Sequence, residues 1–430
     1  MILCCVFSAL AIIGMIASVI TEAKIFKKIP LYFVITTFFA ILIIACGLIP
    51  LKQVGKSLVN SSAVNPIKIL VLFISMTALS VFLDEVGFFK VLANFTLKKA
   101  GKSQIKLFVL LYIVVSILTV FTSNDIIVLT FTPFICYFCK NAKIDPIPFL
   151  IEEFVASNTF SMMMLIGNPT NIYLSLYKGL NFVEYLKVMW LSALFGGVVA
   201  FVILFLLFYK KLKTPIVESV QEVVDCNKPL MIIGIILLAI CTLLLVIADF
   251  IKIQMWLISL CFAVGLFVII GVYKLIKREF KGEVKATIYR LPYGLIPFLL
   301  SMFIIVSALD YNGVTETLAK LLAQKEETFT FGISAFLGCN VLNNIPMSVL
   351  FSNIPAMEDT ILFNKAIYSI IIGSNIGAFL TPIGALAGIM FTDLVNRQNI
   401  KYSFISFVKY GLIISIPTIL TALFTLELFI

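Results

Sequence analysis

Along this chain apolar residues collect in long unbroken runs separated by short polar segments. Ten runs, roughly 2–21, 30–50, 66–83, 146–177, 182–209, 229–249, 253–276, 291–309, 364–391 and 403–428, reach the ~20 residues a helix needs to cross a bilayer. Two regions differ. Residues 105–121 run into Ser123-Asn124-Asp125 and then a short apolar leg ending at Phe138, and residues 329–342 run into Asn343-Asn344 and a leg ending at Ala356. Legs of about a dozen residues are too short to cross. A polar turn at membrane depth survives only where protein buries it or it lines a water-filled cavity. Regions 105–138 and 329–356 are therefore predicted as re-entrant helical hairpins.

The order of elements then repeats. Three spans, a hairpin and two spans fill residues 1–209, and the same series fills 229–430; the polar linker 210–228, with Glu218, Glu222 and Asp225, lies between. Asn124 and Asn343 are 219 positions apart, and Asn158 and Asn375 are 217 apart. Each half has an odd number of spans, so the second half enters the membrane upside down. The predicted fold is an all-α polytopic membrane protein of about 10 spans and two re-entrant hairpins in inverted-topology repeats, a pattern of secondary transporters.

Composition agrees with lipid as the solvent. The chain is 61% hydrophobic and 13% charged, with a mean hydropathy of +1.13, which excludes a soluble enzyme, a disordered chain and a secreted disulfide scaffold. The formal charge of +10 sits in short loops, with no basic, aromatic-rich surface for nucleic acid. Of the 32 bases, 22 fall in alternate loops and 9 in the others. By the positive-inside rule the termini then face outward, hairpin one enters from the cytoplasm, and hairpin two enters from outside. The expected location is the plasma or inner membrane. The first run has no basic stretch before it and no small-residue cleavage site after it, so it reads as a retained helix. The chain has no histidine, which removes His bases, His metal ligands and His proton relays. Nine cysteines, including Cys46, Cys241 and Cys261 in apolar runs, read as packing residues. Cys136 and Cys139 have C-x-x-C spacing but no second pair to make a metal site; Cys339 lies nearer the proposed centre.

Four polar stations carry the candidate chemistry. The first, Thr122-Ser123-Asn124-Asp125, turns at depth and begins a helix whose free N–H groups suit an anion or a polar oxygen. Asp125 is an acid at depth, functional by default, and the candidate for proton coupling; a capping role is the plain alternative. Glu152 and Glu153 read as ion-paired to Lys140 or Lys143 near the cytoplasmic start of their span. The second station is Asn343-Asn344-Ile345-Pro346, two amides costly to bury unless something polar meets them. The third runs from Ser157-Asn158-Thr159 to Gly167-Asn168-Pro169-Thr170-Asn171, where Asn168 before Pro169 predicts a helix restarting within the span. The fourth runs from Gly373-Ser374-Asn375 to Thr381-Pro382, with Thr381 placed to cap a helix starting at Pro382. For both broken spans a kink at a helix contact is the plain alternative. The candidate site is Ser123, Asn124, Asp125, Ser157, Asn158, Asn168, Thr170, Asn343, Asn344, Ser374, Asn375 and Thr381.

At these stations the chain resembles the ion transporter superfamily of arsenite/antimonite efflux permeases, citrate permeases and sodium–dicarboxylate symporters. The matching text is Ser-Asn-Asp-Ile-Ile-Val-Leu-Thr-Phe-Thr-Pro (123–133), Gly-Asn-Pro-Thr-Asn-Ile (167–172), Asn-Asn-Ile-Pro (343–346) and Gly-Ser-Asn-Ile-Gly with Leu-Thr-Pro-Ile-Gly (373–384). The likeness covers essentially the whole chain and is greatest to the arsenite branch. It implies inverted repeats, a substrate site between the hairpin tips and a homodimer; members of the arsenite branch also work with a soluble ATPase. Two departures bear on substrate and coupling: Asn375 stands where arsenite permeases typically carry an acid, and Asp125 replaces the Thr of sodium–dicarboxylate tips.

The resulting expectation is an alternating-access secondary transporter of a small oxyanion or carboxylate, with arsenite/antimonite efflux as first candidate. It needs no cofactor, and its coupling ion is H+, or Na+. Citrate or dicarboxylate transport is the runner-up, and a cation/proton antiporter or a channel comes after it. An intramembrane enzyme would need a nucleophile–base pair or metal cluster at depth that this spacing does not supply.

Overall fold

The computed structural model describes all residues except 1, 22, 26–28, 60–64, 217–225, 249, 279–281, 316, 318–326 and 353–359. Its first three spans are α1 (Ile2–Ile20), α2 (Leu31–Ala45) and α4 (Pro66–Glu85), with a short amphipathic helix α3 (Leu51–Val59) before the third. A two-residue antiparallel pair, Lys24–Ile25 against Ile29–Pro30, clips the turn between α1 and α2. Another amphipathic helix, α5 (Phe88–Ala100), leads to α6 (Gln104–Phe121) and α7 (Asn124–Asn141), the predicted first hairpin. The fourth span is broken as expected: α8 (Ile147–Ser161) ends, a 3-10 turn covers Leu165–Gly167, and α9 (Pro169–Lys178) restarts behind the Asn168 cap. The long helix α10 (Phe182–Leu212) closes this half.

The second half follows the same order. Its first spans are α11 (Lys228–Val246), α12 (Met255–Lys277) and α14 (Leu295–Tyr311), with short α13 (Glu283–Arg290) before the third, as α3 precedes α4. Then come α15 (Glu327–Leu342) and α16 (Asn344–Ser352), the broken pair α17 (Thr360–Gly377) and α18 (Leu386–Arg397), and finally α19 (Phe404–Phe429). Packing partners correspond across the halves: α4 lies on α12 and α14 on α2, α7 on α18 and α16 on α9, while α10 and α19 face each other.

Burial separates a protein-facing centre from lipid-facing flanks. Every residue from Pro148 to Ser161 on α8 is buried, whereas α11 and α12 expose Ile232, Ile236, Leu243, Val264, Val268 and Leu275. Helices apolar both inside and outside belong in a bilayer, where no aqueous face is required. Among the described residues, six helices are long and apolar enough to span by length and composition; the broken spans divide their length between two half-helices.

Several details differ from expectation. The second leg of hairpin one runs 18 residues, not a dozen, because its helix continues past Phe138 to Asn141 despite Pro133. Helix α10 extends through Lys210 and Lys211, so the linker begins later than residue 210; Glu218, Glu222 and Asp225 lie outside the described residues, as do Asp249 and the last residues of the 329–356 region. The segments forming α3, α5 and α13 are short and lysine-bearing, and their charge pattern masked their helical stripe.

Candidate functional site

Each polar station becomes a break in a helix, and the breaks meet. At the first tip, Ser123 takes the N-cap position of α7 but its side chain makes no cap hydrogen bond. Asn124 Nδ2 donates to Asn158 Oδ1 on α8 at 3.0 Å. The Asn158 amide is itself oriented, since its Nδ2 donates to the Phe154 carbonyl at 2.8 Å. That fixes which end of Asn124 faces it and leaves Asn124 Oδ1 turned away.

The two broken spans cross in a knot of amides. Asn375 Oδ1 accepts from Ser161 Oγ (2.9 Å) and Asn168 Nδ2 (3.1 Å), while Asn375 Nδ2 donates to Asn171 Oδ1 (2.7 Å). Ser374 Oγ donates to Thr170 Oγ1 at 3.2 Å, and Asn168 Oδ1 caps α9 through Thr170 N. Ser157 bonds only its own helix, at the Phe154 carbonyl. This knot is saturated and ties the two breaks together.

The second tip is reached through the other end of that break. Asn343 takes a left-handed φ of 70°, tolerated by Asn, and its Nδ2 donates to the Ile383 carbonyl at 2.9 Å. Thr381 does not cap at Pro382, because α18 begins four residues later behind Ala385. Instead its hydroxyl donates to Asn340 Oδ1 at 2.7 Å, and Asn340 Nδ2 donates to the Gly377 carbonyl at 3.0 Å. A continuous chain of side chains and short backbone steps thus connects Asn124 to Asn343.

Not every polar atom in this region is used. Among the described residues, Ser123 Oγ, Asn124 Oδ1 and Asn344 Oδ1 are buried with no hydrogen-bond partner. Fifteen such side-chain atoms occur among the described residues, and those at the tips leave hydrogen-bonding capacity open to a bound solute. Asp125, in the first turn of α7, is 8% exposed. No Lys or Arg takes part in the chain of contacts above. Beside the second tip a cavity of about 460 Å³ is lined by Tyr32, Pro382, Ile383, Thr392, Asp393 and Arg397; Asp393 and Arg397 pair across one helical turn at 2.6 Å.

Sequence reasoning left Ser161, Asn171 and Asn340 out of the candidate site. Ser161 lies one turn along α8 from Ser157 and Asn158, on the same helix face, whereas Asn171 and Asn340 are separated from Asn168 and Asn343 by a helix end and carried no such signal. The expected ion pairs of Glu152 and Glu153 with Lys140 or Lys143 do not form. Both acids are fully buried, both lysines are exposed, and Glu153 instead accepts from Thr132 Oγ1 at 3.0 Å. Helix α8 turns these carboxyls inward, away from the loop. The described cysteines are free, and no group of three or more potential metal ligands occurs among the described residues.

The CitMHS family, described as citrate transporter, matches residues 7–361. A putative arsenical pump membrane protein of Bacillus subtilis is 25% identical over 91% of this chain and 92% of its own length. The arsenical pump membrane protein of Escherichia coli is 24% identical over 83% and 85%. The crystal structure of the YdaH transporter of Alcanivorax borkumensis superposes with a TM-score of 0.57 at 12% identity, covering 93% of this chain and 96% of that one; this likeness speaks for the fold.

Proposed function

The chain belongs to the CitMHS citrate-transporter family, is a multi-pass membrane transporter and not an enzyme, and on that premise we propose that it is a secondary transporter of a small hydroxylated inorganic solute, with arsenous and antimonous acid as first candidates. The observation that carries the substrate class is the set of orphaned oxygens at the two tips, Ser123 Oγ, Asn124 Oδ1 and Asn344 Oδ1. Amide oxygens accept hydrogen bonds and do not donate. They suit a solute rich in O–H donors, as arsenous acid is, better than an ionised carboxylate that only accepts. The absence of a cationic side chain from the described contacts between the tips supports the same choice, and so do the names of the relatives. Citrate or a dicarboxylate is the second reading, favoured by the family description.

Alternating access through two inverted repeats, 1–209 and 229–430, is the proposed mechanism, and the matched packing partners of the halves support it. Placement of both termini outside rests on the lysine and arginine bias of the loops, and the sorting of loops into two faces gains support from the ion pairs. Arg290 with Asp84 (2.7 Å), Lys211 with Asp145 (2.6 Å) and Lys365 with Glu427 (3.0 Å) each join residues that this topology assigns to one face. The 460 Å³ cavity, bounded by Ser18, Ala23, Pro30 and Tyr32 and by side chains from Pro382 to Phe407, then opens to the cytoplasm, as an exporter awaiting cargo requires. Asp125 is the proposed coupling residue for H+, with Na+ as the alternative ion. A homodimer and a soluble ATPase partner rest on family resemblance alone.

The test is uptake by purified protein in proteoliposomes. Saturable arsenite transport, competed by antimonite and indifferent to citrate, is the expected result; citrate transport without arsenite transport overturns the substrate proposal. Asp125→Asn is expected to abolish the effect of a pH gradient, and unchanged proton dependence would remove Asp125 from the coupling path.

A further inference from the structure

Two acids remain outside the site described so far. Glu152 and Glu153 on α8 have no exposed surface. Glu153 Oε2 accepts from Thr132 Oγ1 of α7, but Glu153 Oε1 and both oxygens of Glu152 meet no donor among the described residues. Two neighbouring carboxylates buried without a countercharge are too costly to persist. A carboxyl holding a proton is neutral and escapes that cost.

Their position ties them to the first tip. Helix α7 is fastened to α8 by two side-chain bonds, Asn124 to Asn158 and Thr132 to Glu153. On α7 these are eight residues apart, about 12 Å along the axis. Glu153 therefore holds the same leg whose end carries the orphaned oxygens. Glu152, turned by about 100° on the helix, faces the other leg, within electrostatic reach of Tyr112 on α6.

Among the described residues the surroundings supply no countercharge. From α7 come Thr132 and Cys136, and from α6 Tyr112. The charged residues of α10 (Glu184, Lys187, Lys210 and Lys211) are exposed near its ends. Lys365 of α17 pairs with Glu427, and Asp393 of α18 with Arg397.

We propose that Glu152 and Glu153 form a proton-carrying carboxyl pair straddling the first hairpin, separate from Asp125 at its tip. With both protonated, α7 seats on α8 as in this structure. When one O–H bond breaks, its proton passes to water admitted beside the leg and a carboxylate remains. One threonine hydroxyl does not satisfy that charge, so α7 parts from α8 and the tip moves. Rebinding a proton from the opposite side restores the seat. This rests on the transporter reading above, but its test can fail separately.

The first readout is infrared difference spectroscopy of the purified wild-type protein, with no substrate required. The carbonyl stretch of protonated carboxyls should lose intensity in Glu152→Gln and again in Glu153→Gln, and Thr132→Val should shift the Glu153 component. An unaltered band in the double variant overturns the proposal even if all variants fold. The second readout is the ratio of proton-gradient-driven uptake to substrate counterflow in proteoliposomes, expected to fall at least about tenfold in Glu153→Gln and to recover in part in Glu153→Asp. An unchanged ratio, or loss of sodium drive with proton drive intact, overturns it. Absence of counterflow in the wild type would instead defeat the substrate proposal and leave the infrared result standing.

Discussion

Asn124 and Asn375 have the same residue type and opposite circumstances. Asn375 makes hydrogen bonds with both ends of its amide, to Ser161, Asn168 and Asn171, so its removal strands partners in a buried setting. Asn375→Ala should destabilise by about 2 kcal/mol or more, the cost of leaving buried polar groups unpaired, seen as a lower melting temperature in detergent. Asn375→Asp should fare little better, since a carboxylate cannot donate to Asn171 Oδ1. Asn124 makes one side-chain bond and leaves its oxygen unused. Asn124→Ala should cost only about 1 kcal/mol of stability while abolishing saturable transport. A loss of folding equal to that of Asn375→Ala would show that the tip is structural.

At the scale of elements, the breaks were the legible part. A polar group inside an apolar run is expensive, so Asn343-Asn344 or Gly167-Asn168-Pro169 stand out against their neighbours, and spans 66–83 and 403–428 became α4 and α19 almost residue for residue. The illegible parts depend on direction. Glu152 and Glu153 are near two lysines in sequence, yet the helix aims them elsewhere. The vestibule joins Tyr32 to Arg397, a proximity that no local pattern encodes. The junction of α15 and α17 was likewise only half visible. Added carbon at Gly373 would meet the Gly332 carbonyl at 2.2 Å, and at Gly377 would meet Cys339 Sγ at 2.4 Å. These are small residues four apart that let two backbones touch, as in other membrane helix pairs. Gly377→Ala should therefore destabilise by about 1–3 kcal/mol, measured by the same melts, and should spread α15 from α17.

Across the whole molecule the proposed orientation makes a labelling prediction. Cysteines introduced at Asp145 and Lys365, in a background without exposed native thiols, should react with impermeant reagents from opposite faces of the membrane. Labelling from one common face would refute the inverted arrangement. The halves also differ in construction. Asn158 and Asn375 lie 217 positions apart, and on that offset Gly373 and Gly377 correspond to Ala156 and Phe160. The contact that lets α15 and α17 touch through glycines is therefore made on the other side by bulkier residues.

That mismatch predicts a stiffer seam between α15 and α17 than between α6 and α8. Amide protons along 327–342 and 360–377 should exchange with heavy water more slowly than those along 104–121 and 147–161, because opening the glycine seam demands a larger excursion. If so, the two halves divide the labour of motion: one acts as the anvil, and the other, sprung on side chains alone, does the travelling.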